Sequence, residues 1–148
     1  MPSKHVKKTL LSAALALLAF GAQAQMLKAA QVPAVVKATF KAEYPTVKTN
    51  TWEKEHGNYE AGFTMKGATM SALINPAGEM VEKETDMAAT KLPAAVRSTL
   101  ARDYKTYKVT EAATIVSAAG VTTYEAELSK SGKKHDVLFN ADGTLVKK

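Results

Sequence analysis

The chain repeats itself. Val32-Pro33-Ala34-Val35-Val36 returns as Leu92-Pro93-Ala94-Ala95-Val96, an offset of 60 residues (92 minus 32). Tyr59-Glu60-Ala61, Gly67 and Asn75-Pro76-Ala77-Gly78 return as Tyr124-Glu125-Ala126, Gly132 and Asn140-Ala141-Asp142-Gly143, now offset by 65 (124 minus 59). The second copy thus carries five extra residues (65 minus 60) within 112–123. A fixed period of this length marks a duplicated structural unit, so the chain must fold as two like-built halves.

The first 24 residues stand outside both halves. Lys4, Lys7 and Lys8 precede an almost unbroken apolar run from Leu10 to Phe20, and Ala22-Gln23-Ala24 ends it with a small-x-small cleavage pattern before Gln25. Eleven residues are too few to cross a bilayer as a helix, which takes roughly 20. The expectation is a cleaved export signal, cut between Ala24 and Gln25, a periplasmic location and no stable membrane anchor. Three of the 20 basic residues leave with it and none of the 14 acidic ones, so the net charge falls to +3 (17 minus 14). The remaining lysines are scattered, which gives nucleic-acid binding no support. With no cysteine in the chain, its stability must come from packing. A single half of about 55 residues would be marginal alone, so the halves are expected to pack on each other.

Within the first half, Val32, Val35, Val36, Phe40 and Tyr44 share one face of a helix that opens near Pro33 and ends at Pro45. Leu92, Ala95, Val96, Leu100 and Tyr104 repeat that face. The period then drops to two. Strands are expected over Val47 to Glu55, around Tyr59 to Thr64, around Thr69 to Ile74, and briefly at Met80 and Val81, with turns at Gly57-Asn58, Lys66-Gly67 and Asn75 to Gly78. The second half matches, ending in a short strand at Leu145 and Val146. The fold class is therefore α+β, a tandem duplication in which each module lays one helix on a four-stranded antiparallel β-meander. The boundaries are 1–24 for the signal, 25–31 for a polar lead-in, 32–84 for module 1, 85–91 for a linker and 92–148 for module 2.

The order of these motifs, a signal, two V/L-P-A-x-V helices, Tyr-Glu-Ala, a glycine turn and N-x-x-G, resembles the PepSY-like, beta-lactamase-inhibitor-like family across the whole mature chain. The resemblance implies a periplasmic protein of tandem helix-plus-sheet modules, similar in fold to beta-lactamase inhibitory protein, with no catalytic residues. The chain departs from that inhibitor in having no cysteines for its disulfides.

Chemistry finds few footholds. The mature chain holds two histidines, His56 beside a turn and His135 on a strand, without ligand or triad spacing. The Asn140 to Gly143 cluster lacks the length and closing glutamate of a calcium loop and suits a hairpin turn. No cofactor or metal is expected, and the chain reads as no enzyme. The leading function is an exported binding protein whose open sheet face meets a protein or peptide partner, conceivably as an inhibitor would. The alternative is a periplasmic carrier of a small apolar or metal ligand held between helix and sheet. Candidate contact residues are Glu60, Thr69, Ser71, Glu125, Glu127, Lys134 and Asp136 on the outward sheet face. Trp52, the single tryptophan, reads either as a core edge or as a partner anchor. Ile115, Val116 and Val121 belong to the uncharged insertion, which either folds back on module 1 or forms a contact loop.

Overall fold

The computed structural model describes residues 25–147; the expected signal, and Ala24 of its cleavage site, lie outside them. Eight antiparallel strands follow one another in a single sheet in chain order: β1 (Gln25–Leu27), β2 (Thr51–Glu55), β3 (Asn58–Met65), β4 (Ala68–Ile74), β5 (Met80–Met87), β6 (Lys108–Ser117), β7 (Thr122–Lys130) and β8 (Lys133–Phe139). Helix α1 (Ala34–Glu43) separates β1 from β2, and α2 (Ala94–Asp103) separates β5 from β6. Both helices begin after the proline rather than before it, since Pro33 and Pro93 hold extended backbone with ψ of 142° and 144°.

The halves do not own separate four-stranded sheets. Residues 84–87, expected to lie at the linker, continue β5, and this strand pairs with β4 on one side and β6 on the other. The duplication explains why. Leu27 of β1 pairs with Trp52, and Met87, sixty residues on, pairs with Ala112, the counterpart of Trp52. The end of β5 is therefore the β1 of the second half, while its start closes the first. One strand serves both halves, and the sheet runs through. The lead-in is likewise structured: Gln25–Leu27 forms β1 and Ala29–Gln31 a 3-10 turn that recurs at Ala89–Lys91. At the other end, Leu145 makes only an isolated bridge to Phe139 rather than a fourth strand.

Three hairpins turn in two residues. His56-Gly57, Lys66-Gly67 and Ser131-Gly132 all have positive φ at both positions, the geometry that matches the twist of the flanking strands. The first turn falls one residue earlier than the Gly57-Asn58 expectation because Asn58 already pairs with Glu55. The five extra residues lengthen the β6–β7 hairpin instead of forming a loop, so Ile115 and Val116 lie in β6. Its tip leans on the first half, where the Ala118 N–H donates to the Val81 carbonyl at 2.8 Å.

Both helices cover the same sheet face. Val36, Phe40 and Tyr44 of the α1 segment pack on Trp52, Ala61, Phe63, Ala72 and Ile74. Val96 and Leu100 of α2 pack on Ala112, Ala126, Leu128 and Phe139. The two cores are filled differently at matching places. Phe40 and Trp52 become Leu100 and Ala112, and part of the lost volume is regained where Ile74 becomes Phe139 and Val47 becomes Tyr107.

Candidate functional site

The alternation of each strand puts every second side chain on the face that neither helix covers. Successive cross-strand partners there run Glu53, Glu60, Leu73, Glu82 and Ser117 from β2 to β6. A second row runs Gly62, Ser71, Glu84, Ile115 and Thr123, and a third Asp86, Ala113, Glu125 and Leu138. The rows are acidic with an apolar centre. Leu73, Ala113 and Ile115 are all buried, as are Glu60, Glu82, Glu84 and Glu125.

The acids are crowded enough to change their chemistry. Burial pushes the Glu60 carboxyl up to about 9, helped by its hydrogen bond with Glu55 and the charges of Glu55 and Glu53, with the Ser71 hydrogen bond opposing. Glu55 and Glu82 are also raised, first by burial and then by neighbouring carboxylates. The unshared oxygens stand out: Glu53 Oε2, Glu55 Oε2 and Glu82 Oε1 are buried without a hydrogen-bond partner. Burial without a partner is expensive for a carboxylate, so such a group calls for an explanation.

The β7–β8 end is balanced differently. Lys134 lies 2.7 Å from Glu127 Oε1, which also accepts the Thr110 hydroxyl at 2.6 Å. Burial works to raise Glu127, but these bonds and the Lys134 charge lower it overall. Asp136 rises to about 6 through burial and the Glu127 charge.

The structure thus gathers Glu60, Thr69, Ser71, Ile115, Glu125, Glu127, Lys134 and Asp136 on one face. Trp52 and Val116 are not among them. Trp52 is 5 % exposed and meets Phe40 edge-on at 5.5 Å between ring centroids, so it fills the core beneath α1 and has no surface to anchor a partner. Val116 pairs with Lys83, which reaches Glu43 of α1 and so marks the helix-covered side. Val121 is exposed at the hairpin tip. His56 sits at an exposed turn, and the His135 ring meets Tyr107 edge-on. Asp142 accepts the Thr144 N–H and hydroxyl at 2.9 and 2.6 Å and so closes its own turn.

Sequence reasoning missed Glu53, Glu55, Glu82, Glu84 and Asp86. The signal was present as acids at alternate positions, Glu53-Lys54-Glu55 and Glu82-Lys83-Glu84-Thr85-Asp86. Reading residues 85–91 as a linker and ending the preceding strand at Val81 hid the second.

Among the described residues no group of three His, Asp or Glu is placed to hold a metal ion, and no helix is long and apolar enough to cross a membrane. Two helices laid on one face of a continuous antiparallel sheet, with the opposite face left to polar side chains, define an α+β fold of duplicated helix-plus-sheet modules. The chain belongs to the family described as "Putative beta-lactamase-inhibitor-like, PepSY-like", matched over residues 21–71 and 74–147. Solved structures share the fold. A protein of Bacteroides eggerthii described as periplasmic superposes with a TM-score of 0.71 at 24% identity, covering 78% of this chain and 86% of its own. A DUF2874 family protein of Bacteroides uniformis gives 0.71 at 23%, covering 78% and 87%. A BLIP-like protein of Bacteroides fragilis gives 0.63 at 20%, covering 78% and 84%. No curated protein matches the chain.

Proposed function

We propose that this is an exported, periplasmic binding protein that presents its uncovered sheet face to a protein or peptide partner. The observation that carries the reading is the split of the sheet: both helices take one face, and the other holds buried Leu73, Ala113 and Ile115 among carboxylates. A sheet face that neither helix covers, with carboxylates set around a few close-packed apolar side chains, is open to a further layer supplied by a partner. Export rests on the basic, apolar and small-residue pattern of the first 24 residues, and a periplasmic relative of the same fold agrees with it. The family description makes inhibition of a beta-lactamase one form such binding could take. The carrier alternative has less room, because Val36, Phe40, Phe63 and Ile74 already fill the space between α1 and the sheet.

The test is capture from periplasmic extract by immobilised mature protein. Thr64→Trp and Thr69→Trp, at paired positions, place a neutral obstacle on the face; Lys37→Glu alters the outer side of α1. Loss of the captured partner in the first two, with circular dichroism unchanged, and retention in the third is the expected result. Equal capture by all of them would remove the face from the function.

A further inference from the structure

We infer that the sheet face over β2 to β5 receives lysine or arginine side chains from an extended segment of the partner. The inference rests on the binding-face reading above and adds the chemistry of what is bound.

Three observations carry it. The first is the unpartnered acid. Glu82 is only 7 % exposed, its Oε1 has no hydrogen-bond partner, and the group it meets across Leu73 is another carboxyl, Glu60, and not a cation. Glu53 and Glu55 each add an oxygen in the same condition. The second is where the chain sends its own cations. Lys83, between Glu82 and Glu84, turns to the helix side and binds Glu43, and Lys54, between Glu53 and Glu55, lies 3.6 Å above the Tyr59 ring. Over β2 to β5, acids go to the free face and lysines to the covered one.

The third observation is shape. Strands lie about 4.8 Å apart, so Glu60 and Glu82, two strands apart, are separated by roughly 10 Å with Leu73 between them. Carboxylates spread along a row do not converge on one ion, and no described group of three does so. Long basic side chains suit the spacing. Their methylene stems can lie along the row while the heads reach in to Glu53, Glu82 and, with release of its proton, Glu60. An extended segment brings alternate side chains to the same side at about 6.6 Å intervals, so two basic residues can serve the row together.

The mature protein is titrated, by fluorescence anisotropy, with a short labelled peptide alternating lysine and threonine. The same peptide with glutamate for lysine, spermidine and calcium serve as the other arms. The lysine peptide should bind and should weaken as salt rises from ~50 to ~300 mM. Glu60→Gln with Glu82→Gln should weaken it at least about tenfold, and Glu53→Gln, in a separate variant, should weaken it less. Circular dichroism verifies that each variant is folded. Equal binding of the glutamate peptide, or no loss in the double variant, would overturn the inference. So would spermidine or calcium binding as tightly as the peptide, since the face would then be a small-cation site. The periplasmic capture assay separates this failure from that of the parent reading. If Thr69→Trp loses the natural partner while the glutamine variants keep it, the face stands and the cationic chemistry falls.

Discussion

Thr99 donates its hydroxyl hydrogen to the carbonyl oxygen of Gly143 across 2.9 Å, tying the last turn of the chain to α2. Thr39 makes the same bond to Gly78 at 2.6 Å in the first half. The N-x-x-G motif is therefore more than a hairpin turn. It is the clasp that holds each helix against its sheet, and its glycine is required twice over. Both glycines have φ above +80°, and both lie where a β-carbon would strike the helix.

The two clasps should differ in tolerance. A β-carbon at Gly143 would come within 2.5 Å of the Ala95 carbonyl oxygen, which belongs to the backbone of α2 and cannot turn aside. At Gly78 the nearest atom is a Val35 side-chain methyl at 2.6 Å, on a residue 47 % exposed that can give way at the cost of a less favoured rotamer. Gly143→Ala should cost about 2–4 kcal/mol and Gly78→Ala about 1–2 kcal/mol. Urea unfolding of both variants measures the order; equal losses would place the strain in φ alone.

Trp52 should behave as a core residue. It contacts Phe40, which also meets Tyr44 and Phe63, so one ring's removal opens a cluster of four aromatics. Trp52→Ala should destabilise by about 3–5 kcal/mol, a large share of the 5–15 kcal/mol typical of a domain. Partner capture, measured at a temperature where the variant is folded, should be unchanged. Selective loss of capture at full stability would return Trp52 to the binding surface.

Much of this architecture could be read in the residues, and the failures have physical causes. The helical faces of Val36 and Phe40, and of Val96 and Leu100, were legible because each helix has one side to bury. The strands of the Tyr-Glu-Ala motifs were legible for the same reason. Of β5 only its start at Met80 and Val81 was, because Glu82-Lys83-Glu84-Thr85-Asp86 alternates acid with polar residue and offers no apolar stripe; its pairing on both sides is decided by neighbours distant in sequence. Trp52 was ambiguous because an amphipathic ring suits a core and an interface alike. The acidic face follows from these two points. It became visible only once β5 was placed between β4 and β6.

Glu60 gives the fold a pH dependence of definite sign. Its carboxyl rises from an ordinary value of 4.5 to about 9 in the folded chain, so the folded state binds its proton more tightly than the unfolded one. The associated stability is fully present below about pH 4.5 and is lost as pH climbs through 9. Glu55 and Glu82, raised as well, act in the same direction. Glu60→Gln keeps the shape and removes the titration. Its melting temperature should exceed that of the wild type by about 3–6 °C for each kcal/mol relieved at pH 8.5, with the two converging toward pH 5. A parallel pair of curves across that range would show that Glu60 does not titrate differently on folding.

Because β5 completes one half and begins the other, the two halves should unfold together. Trp52 reports only on the first half, whereas far-ultraviolet circular dichroism reports on all eight strands. Their urea transitions should coincide, as expected of a single cooperative unit. Thr85 sharpens the test, since it pairs with Met70 of β4 on one side and Thr114 of β6 on the other. Proline at a central strand position removes a ladder donor and is tolerated only at edges. Thr85→Pro should therefore cost about 3 kcal/mol or more and move both transitions by the same amount. If the tryptophan transition stayed in place while the dichroism transition moved or split, the halves would be independent folding units joined by a passive strand.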